Sequence, residues 1–187
     1  MPAILELPEV RERVSTLTVD EYHRLDEFNE HGRRTELIRG IVIEKMSKSP
    51  LHAAIAKRLY DFLLAKLPPG LVVRREDPLT LKDSEPEPDI AVVRGLESEF
   101  FHAHPTAAEL VIEVAVSSPV LDRETASLYA ESGVKEYWIV LGMTRQIEVY
   151  RRPEGGRYLG VALVSPEDSI DCGSIPGIRL KVADLFL

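Results

Sequence analysis

Two short apolar runs, one opened by a carboxylate and one with a carboxylate at its centre, constrain this chain more than any other feature. The first follows a proline-rich lead-in ending Pro88-Asp89 and reads IAVV; the second reads ELVIEVAV, with Glu113 in its middle. Val, Ile and Leu at that density, in runs of about five to seven residues, specify strands. Alternation sends Leu110, Ile112, Val114 and Val116 to one face and Val111, Glu113 and Ala115 to the other. A carboxylate within a buried strand is costly unless a cation pairs with it. If the two strands are neighbours, Asp89 and Glu113 converge at the rim of one sheet. Two carboxylates about 4 Å apart repel by roughly 4 kcal/mol at an effective dielectric near 20, and a divalent cation would remove that conflict. The alternative is structural, with Asp89 in a Pro-Asp turn and Glu113 paired with an arginine. A shared metal predicts raised proton affinity in at least one acid and a metal-free fold left intact by Asp89→Asn. The structural alternative predicts that the same substitution costs stability and that metal has no effect.

The flanking sequence supplies the layers such a sheet requires. Residues up to about Ser15 are charged and punctuated by proline, as an arm or short helix would be. Thr18 is a helix N-cap with Glu21 as its capping-box partner, and Tyr22, Leu25 and Phe28 then recur at spacing three until His31-Gly32. In RRTELIRGIVIEKM, Leu37, Ile41 and Ile43 align with period two, and Gly40 marks a bend or hairpin corner. Ser49-Pro50 opens a second helix with an apolar stripe of Ile55, Leu59, Phe62, Leu63 and Leu67, stopped by Pro68-Pro69-Gly70. LVVRREDPLTLK reads as a strand interrupted at Pro78, and residues 95–108 as a long connection with one helical turn. LDRETASLYAES is a third helix ending at Gly133. Three more strands follow, KEYWIVLG, RQIEVYRR and RYLGVALVS, and the tail GIRLKVADLF is a strand or short helix. The whole is α/β, a mixed central sheet flanked by helices.

With 187 residues the expectation is a single domain, 1–187, in which 1–17 form an N-terminal arm. The net charge of −8 runs against a generally basic nucleic-acid-binding surface, although local basic clusters and bound metal can offset a diffuse acidic one. Cys172 stands alone, which excludes an intrachain disulfide and suits a reducing compartment. MPAILELPEVRERV has no apolar core of a signal peptide, and no apolar run approaches a membrane span, so the expectation is a cytoplasmic protein.

Five motifs occur in order: TELIRGIV, SPLH at a helix start, PEPDIAVV, ELVIEVAVSSP and LYAESGVKEYWIV. Together they resemble the Uma2 family (DUF820), endonucleases of the PD-(D/E)XK restriction-endonuclease-like superfamily, over roughly Thr18 to the C-terminus. The resemblance implies a restriction-endonuclease-like mixed central sheet flanked by helices and one Mg²⁺-dependent site, with Mn²⁺ able to substitute. It assigns Asp89 and Glu113 as metal carboxylates and Glu36, in the E-x-x-x-G segment closed by Gly40, as an upstream acid on the same metal. His52 matches a family histidine at the start of the second helix, where it could contact phosphate or assist proton transfer. The chemistry agrees in kind, because Mg²⁺ takes hard oxygen ligands and can polarise a phosphoryl group and orient the attacking hydroxide.

The chain departs from the pattern at the lysine. Two residues after Glu113 stands Ala115, and on the following helix, where the family generally carries the displaced lysine, stands Thr125. Neither offers a cation for the developing phosphorane charge. Lys135 or His52 is the expected replacement, and Arg123 is the other cation near by in sequence. Arg33-Arg34 and Arg74-Arg75 could grip a backbone or simply form solvated faces. His102 and His104 lack a third ligand for zinc. Tyr137, Trp138 and Ile139 read as core, and Glu136 as structural or supporting. The resulting expectation is an Mg²⁺-dependent endonuclease hydrolysing DNA phosphodiester bonds as a homodimer or higher assembly, each small domain supplying one site. The alternatives are a catalytically silent nucleic-acid-binding or scaffold protein that has lost the lysine, or a binding module on a nuclease frame.

Overall fold

The computed structural model describes residues 7–26 and 32–186. In chain order the elements are α1 (Pro8–Arg11), α2 (Val19–Asp26), β1 (Thr35–Ile38), β2 (Ile41–Glu44), α3 (Pro50–Leu64), β3 (Leu71–Arg74), β4 (Ile90–Arg94) and β5 (Leu110–Ala115). They continue with α4 (Val120–Glu131), β6 (Glu136–Leu141), β7 (Gln146–Glu154), β8 (Arg157–Val164), β9 (Ser169–Asp171) and β10 (Arg179–Lys181). Short 3-10 turns occupy Glu97–Phe100 and Val182–Phe186.

Six strands form the central sheet in the order β3-β4-β5-β6-β7-β8. Its neighbours are antiparallel except β5 and β6, which run parallel because α4 carries the chain back between them. The sheet is therefore mixed, and its central strands are covered on both faces. On one face Ile90, Val92, Leu110, Ile112 and Val114 pack with Ile55, Leu59 and Leu63 of α3 and with the C-terminal Ile170, Leu180 and Leu185. On the other, Ala91, Val93, Val111 and Ala115 meet Ala126, Tyr129 and Ala130 of α4. Alternation along β5 thus sends Glu113 to the α4 side.

Local signals explain the ends of the elements. The Thr18 hydroxyl accepts the Glu21 amide (3.2 Å) and Glu21 returns a carboxylate to the Thr18 amide (2.8 Å), a reciprocal cap that starts α2. Within α2, Tyr22 is buried whereas Leu25 is exposed, so the spacing-three stripe is not uniformly inward; Phe28 and His31 lie outside the described residues. Ser49 caps α3 by accepting the His52 amide at 3.2 Å. α4 ends in a Schellman arrangement in which Val134 N–H donates to Tyr129 O (3.0 Å) while Gly133 takes φ +76.

The β1–β2 hairpin turns on Arg39 and Gly40, with φ of 53 and 74, the left-handed pair of a tight two-residue turn. Gly40 is required twice over, since a Cβ there would lie 2.5 Å from Thr16 Cβ. The strand expected beyond Pro78 does not form. Residues 79–82 run without ladder partners, and Leu79 and Leu81 are buried as loop residues against the α4-side core, which satisfies their hydrophobic pattern without a sheet. The tail holds both a strand, β10, paired antiparallel with β9, and the 3-10 turn at Val182–Phe186. Among the described residues no helix is long and apolar enough to cross a membrane.

Candidate active site

The register of β4 on β5 sets Ile90 opposite Ile112, so the preceding residue, Asp89, comes level with Glu113. The Asp89 amide donates to Glu113 Oε2 (3.1 Å), and Asp89 Oδ2 accepts the Val114 amide (2.8 Å). Pro86 and Pro88 hold the lead-in extended and offer no N–H to a ladder, which leaves this corner to side chains. The hairpin is tied to the same lead-in by the Leu37–Glu85 bridge. Glu36 thereby reaches it, its Oε2 accepting the Glu87 amide at 3.3 Å.

Cations arrive from the segment between β2 and α3. Lys48 Nζ donates to Asp89 Oδ1 (2.6 Å) and lies 3.1 Å from Glu76 Oε1. Lys45 Nζ donates to the Glu87 carbonyl (2.5 Å) and stands 3.6 Å from Glu36 Oε2. His52, in the first turn of α3, places Nε2 2.9 Å from Asp89 Oδ2. Its Nδ1 is buried and meets no hydrogen-bond partner among the described residues. The Tyr129 hydroxyl, from α4, donates to Glu113 Oε1 at 3.1 Å.

The acids divide electrostatically. Burial works to raise the Asp89 pKa, but the hydrogen bond and charge of His52 and then of Lys48 outweigh it and hold the group at about 2. Glu113 goes the other way. Burial first, then the charges of Asp89 and Asp122, push it well above the usual carboxylate range, with Lys45 only partly offsetting them. Asp122, in the first turn of α4, is pushed up to about 6 by burial and by Asp89 and Glu36, against His52 and Lys45. Glu36, Asp89, Glu113 and Asp122 therefore share one cluster with Lys45, Lys48 and His52, and Glu76 and Glu87 adjoin it through the lysines.

The expected residues fall into two sets. Glu36, Asp89, Glu113 and His52 are brought together. Lys135 is not: it lies beyond the opposite end of β6, with Nζ 2.9 Å from Glu109 Oε2, a carboxylate that Arg94 also holds (2.7 Å). Along β5, Glu109 and Glu113 are four residues, or roughly 13 Å, apart. Arg123 is likewise engaged elsewhere, by Glu148. Thr125 is buried with its hydroxyl donating to the Asp122 carbonyl (3.0 Å), and Ala115 is core.

The remaining candidates are structural in their contacts. Tyr137, Trp138 and Ile139 are fully buried. Glu136 accepts Trp138 Nε1 (2.7 Å) and the amides of Gly173 (2.7 Å) and Ser174 (3.1 Å), so it anchors the loop before β10. Arg34 bonds Glu76 and Glu87, Arg74 stands over the Phe100 ring, and His104 meets Arg74. Sequence reasoning missed Lys45, Lys48 and Asp122. The two lysines sit in an unremarkable polar stretch, and Asp122 looks like an ordinary acid at a helix start.

Beside the cluster lies a cleft of 710 Å³ lined by Arg34, Glu44, Lys45, Met46, Ser47 and Lys48. Its cations adjoin the acids and are each paired with one of them or with Glu76 or Glu87. Among the described residues, no three His, Cys, Asp or Glu side chains are arranged to hold one ion. Asp89 is engaged by Lys48 and His52 instead. In donor chemistry the site does fit a hard divalent cation: Asp89 and Glu113 stand level across β4 and β5, Glu36 reaches the same corner, and the ionised form of Glu113 lacks enough positive charge beside it.

Comparison with known proteins bears on the family and the fold. A family model, Uma2, described as "Putative restriction endonuclease", matches residues 19–183. No curated protein matches the sequence. A crystal structure of a protein from Anabaena variabilis ATCC 29413, described as "a putative nuclease belonging to DUF820", is similar with a TM-score of 0.77 at 21% identity. The similarity covers 91% of this chain and 97% of that one, and shows a shared fold.

Proposed function

The chain belongs to the Uma2 family, and from that premise we propose that it is a metal-dependent endonuclease hydrolysing DNA phosphodiester bonds. One observation carries this reading: Glu36, Asp89, Glu113 and Asp122 share a partly buried cluster with Lys45, Lys48 and His52, beside a cation-lined cleft. Asp89 and Glu113, with Glu36 in support, would hold Mg²⁺ or Mn²⁺. When bound, that ion supplies Lewis-acid polarisation of the phosphoryl oxygen and a nucleophile at neutral pH.

The protein groups do the remaining work. Lys48 and Lys45 supply the positive charge that Ala115 and Thr125 lack, against the charge developing on the transferred phosphoryl group. Lys45 and Lys48, which line the cleft, would draw the DNA backbone into it despite the acidic surface elsewhere. His52 is placed to exchange a proton beside Asp89. Lys135 has no part in this scheme. Two such sites, from two copies, would serve a duplex. The lone, buried Cys172 is consistent with work in the cytosol.

A second reading rests on one observation, that both oxygens of Asp89 are already partnered by Lys48 and His52. On that reading the ion pairs replace the metal, and the protein is a catalytically silent nucleic-acid-binding or scaffold protein. Nicking of supercoiled plasmid by purified protein at millimolar Mg²⁺ or Mn²⁺ separates the two. Nicking lost in Asp89→Ala supports the nuclease; intact plasmid with either metal overturns it.

A further inference from the structure

β8 closes one side of the central sheet, and among the described residues nothing pairs with its outer edge. It is eight residues long, has no lysine and no proline, and carries one charge, Arg157, at its start. Edge strands of monomeric proteins are normally kept short or blunted by charge, because their open N–H and C=O groups template pairing with another chain. This one is neither short nor blunted. Leu159, Val161 and Leu163, alternate residues on one face, are 46%, 59% and 57% exposed.

We propose that β8 is the dimer interface, pairing antiparallel with β8 of a second copy of this chain across a two-fold axis at Val161. The strand is self-complementary about that residue. Leu159 would stand opposite the partner copy's Leu163, Val161 opposite its own counterpart, and the small Gly160 opposite Ala162. A two-fold interface demands such a pattern, in which each position meets its mirror position. The charges agree as well. Arg157 opens the strand, and Glu167 and Asp168 lie in the exposed turn just beyond its end. An antiparallel copy therefore brings each Arg157 to the acidic turn of the other chain, whereas a parallel copy would set like charges side by side. The paired edges would join the two central sheets into one.

This surface is independent of the metal cluster, so its test does not share the fate of the nuclease reading. Sedimentation velocity at micromolar concentration is expected to show a dimer for the wild type. Val161→Lys, an exposed substitution, is expected to give a monomer with an unchanged circular dichroism spectrum. Met143→Lys, at a 74% exposed position away from β8, is expected to leave the dimer intact. Hydrogen exchange provides the second measurement, with outward β8 amides protected in the wild type and exchanging freely in Val161→Lys. A monomeric wild type, a Val161→Lys protein that still dimerises, or β8 amides equally exposed in both would each overturn the proposal.

Discussion

Lys48 Nζ donates to Asp89 Oδ1 over 2.6 Å, joining residues 41 apart in the chain at the corner where the hairpin, α3 and β4 meet. With His52 on the other oxygen, this contact makes Asp89 the stabilised acid of the cluster and leaves Glu113 the frustrated one. The two acids thus play opposite electrostatic parts, and the proton affinity expected to rise in at least one of them rises in Glu113.

The first prediction reverses the expectation that Asp89→Asn spares the fold. A folded pKa of about 2 against 3.8 stabilises the protein by about 2 kcal/mol at neutral pH. The folded value is depressed, so this stability is present above pH 3.8 and is lost as pH falls toward 2. Asp89→Asn should therefore cost stability at pH 7 without metal, by at most about 2 kcal/mol because it also relieves Glu113 and Asp122, and much less near pH 2. Urea unfolding at the two pH values checks this; an equal or greater midpoint for the mutant at pH 7 would refute it.

Asp122 gives the opposite sign. Its folded pKa of about 6 lies above 3.8, so the folded state binds the proton more tightly and stability falls as pH rises through that window. The cost at pH 7 is about 3 kcal/mol. With EDTA present, Asp122→Asn should raise the melting temperature above pH 6 and have little effect below pH 3.8. A melting series across pH tests this, and a mutant no more stable at pH 7.5 would contradict it.

For activity, Lys48→Met should lower the rate of plasmid nicking by about 10²-fold or more, the usual loss when one preorganised charge donor is removed. Lys135→Met should leave the rate unchanged and cost less than about 1 kcal/mol, since its half-exposed ion pair leaves Arg94 on Glu109. Equal losses in both mutants would return Lys135 to the mechanism.

The contrast between these lysines shows where the sequence is readable. Asp89 and Glu113 were legible because one opens a short apolar run and the other interrupts one, and a one-residue change of register would flip the face of Glu113. The caps at Thr18 and Ser49 were legible because they are local. Lys45 and Lys48 were not, since KMSKS has no periodicity and its geometry depends on the hairpin docking through Leu37 and Glu85. Lys135 drew attention by its place in a motif, yet the parallel β5–β6 pairing carries it to the far end of the sheet. Residues 79–82 alternate like a strand, but the hydrophobic burial of Leu79 and Leu81 is met by a loop after Pro78.

The last prediction concerns metal and Glu113. Its carboxylate is the group that burial and the charges of Asp89 and Asp122 drive toward protonation, so an ion bound there should restore the ionised form and stabilise the fold. At about 100 times its dissociation constant, a metal adds about 2.7 kcal/mol. For a chain of this length that is roughly 5–10 °C of melting temperature. Glu113→Gln should abolish the shift while raising the metal-free melting temperature. The folded pKa is raised, so that gain appears as pH climbs above 4.5 and is absent below it. Hydrogen bonding need not suffer. The Gln oxygen can still accept the Asp89 amide, and its NH₂ can donate to the Tyr129 hydroxyl, which rotates from donor to acceptor. Melting both proteins in EDTA and in millimolar Mn²⁺ decides the matter. A wild type that melts at the same temperature in both removes the metal site, and the nuclease reading goes with it.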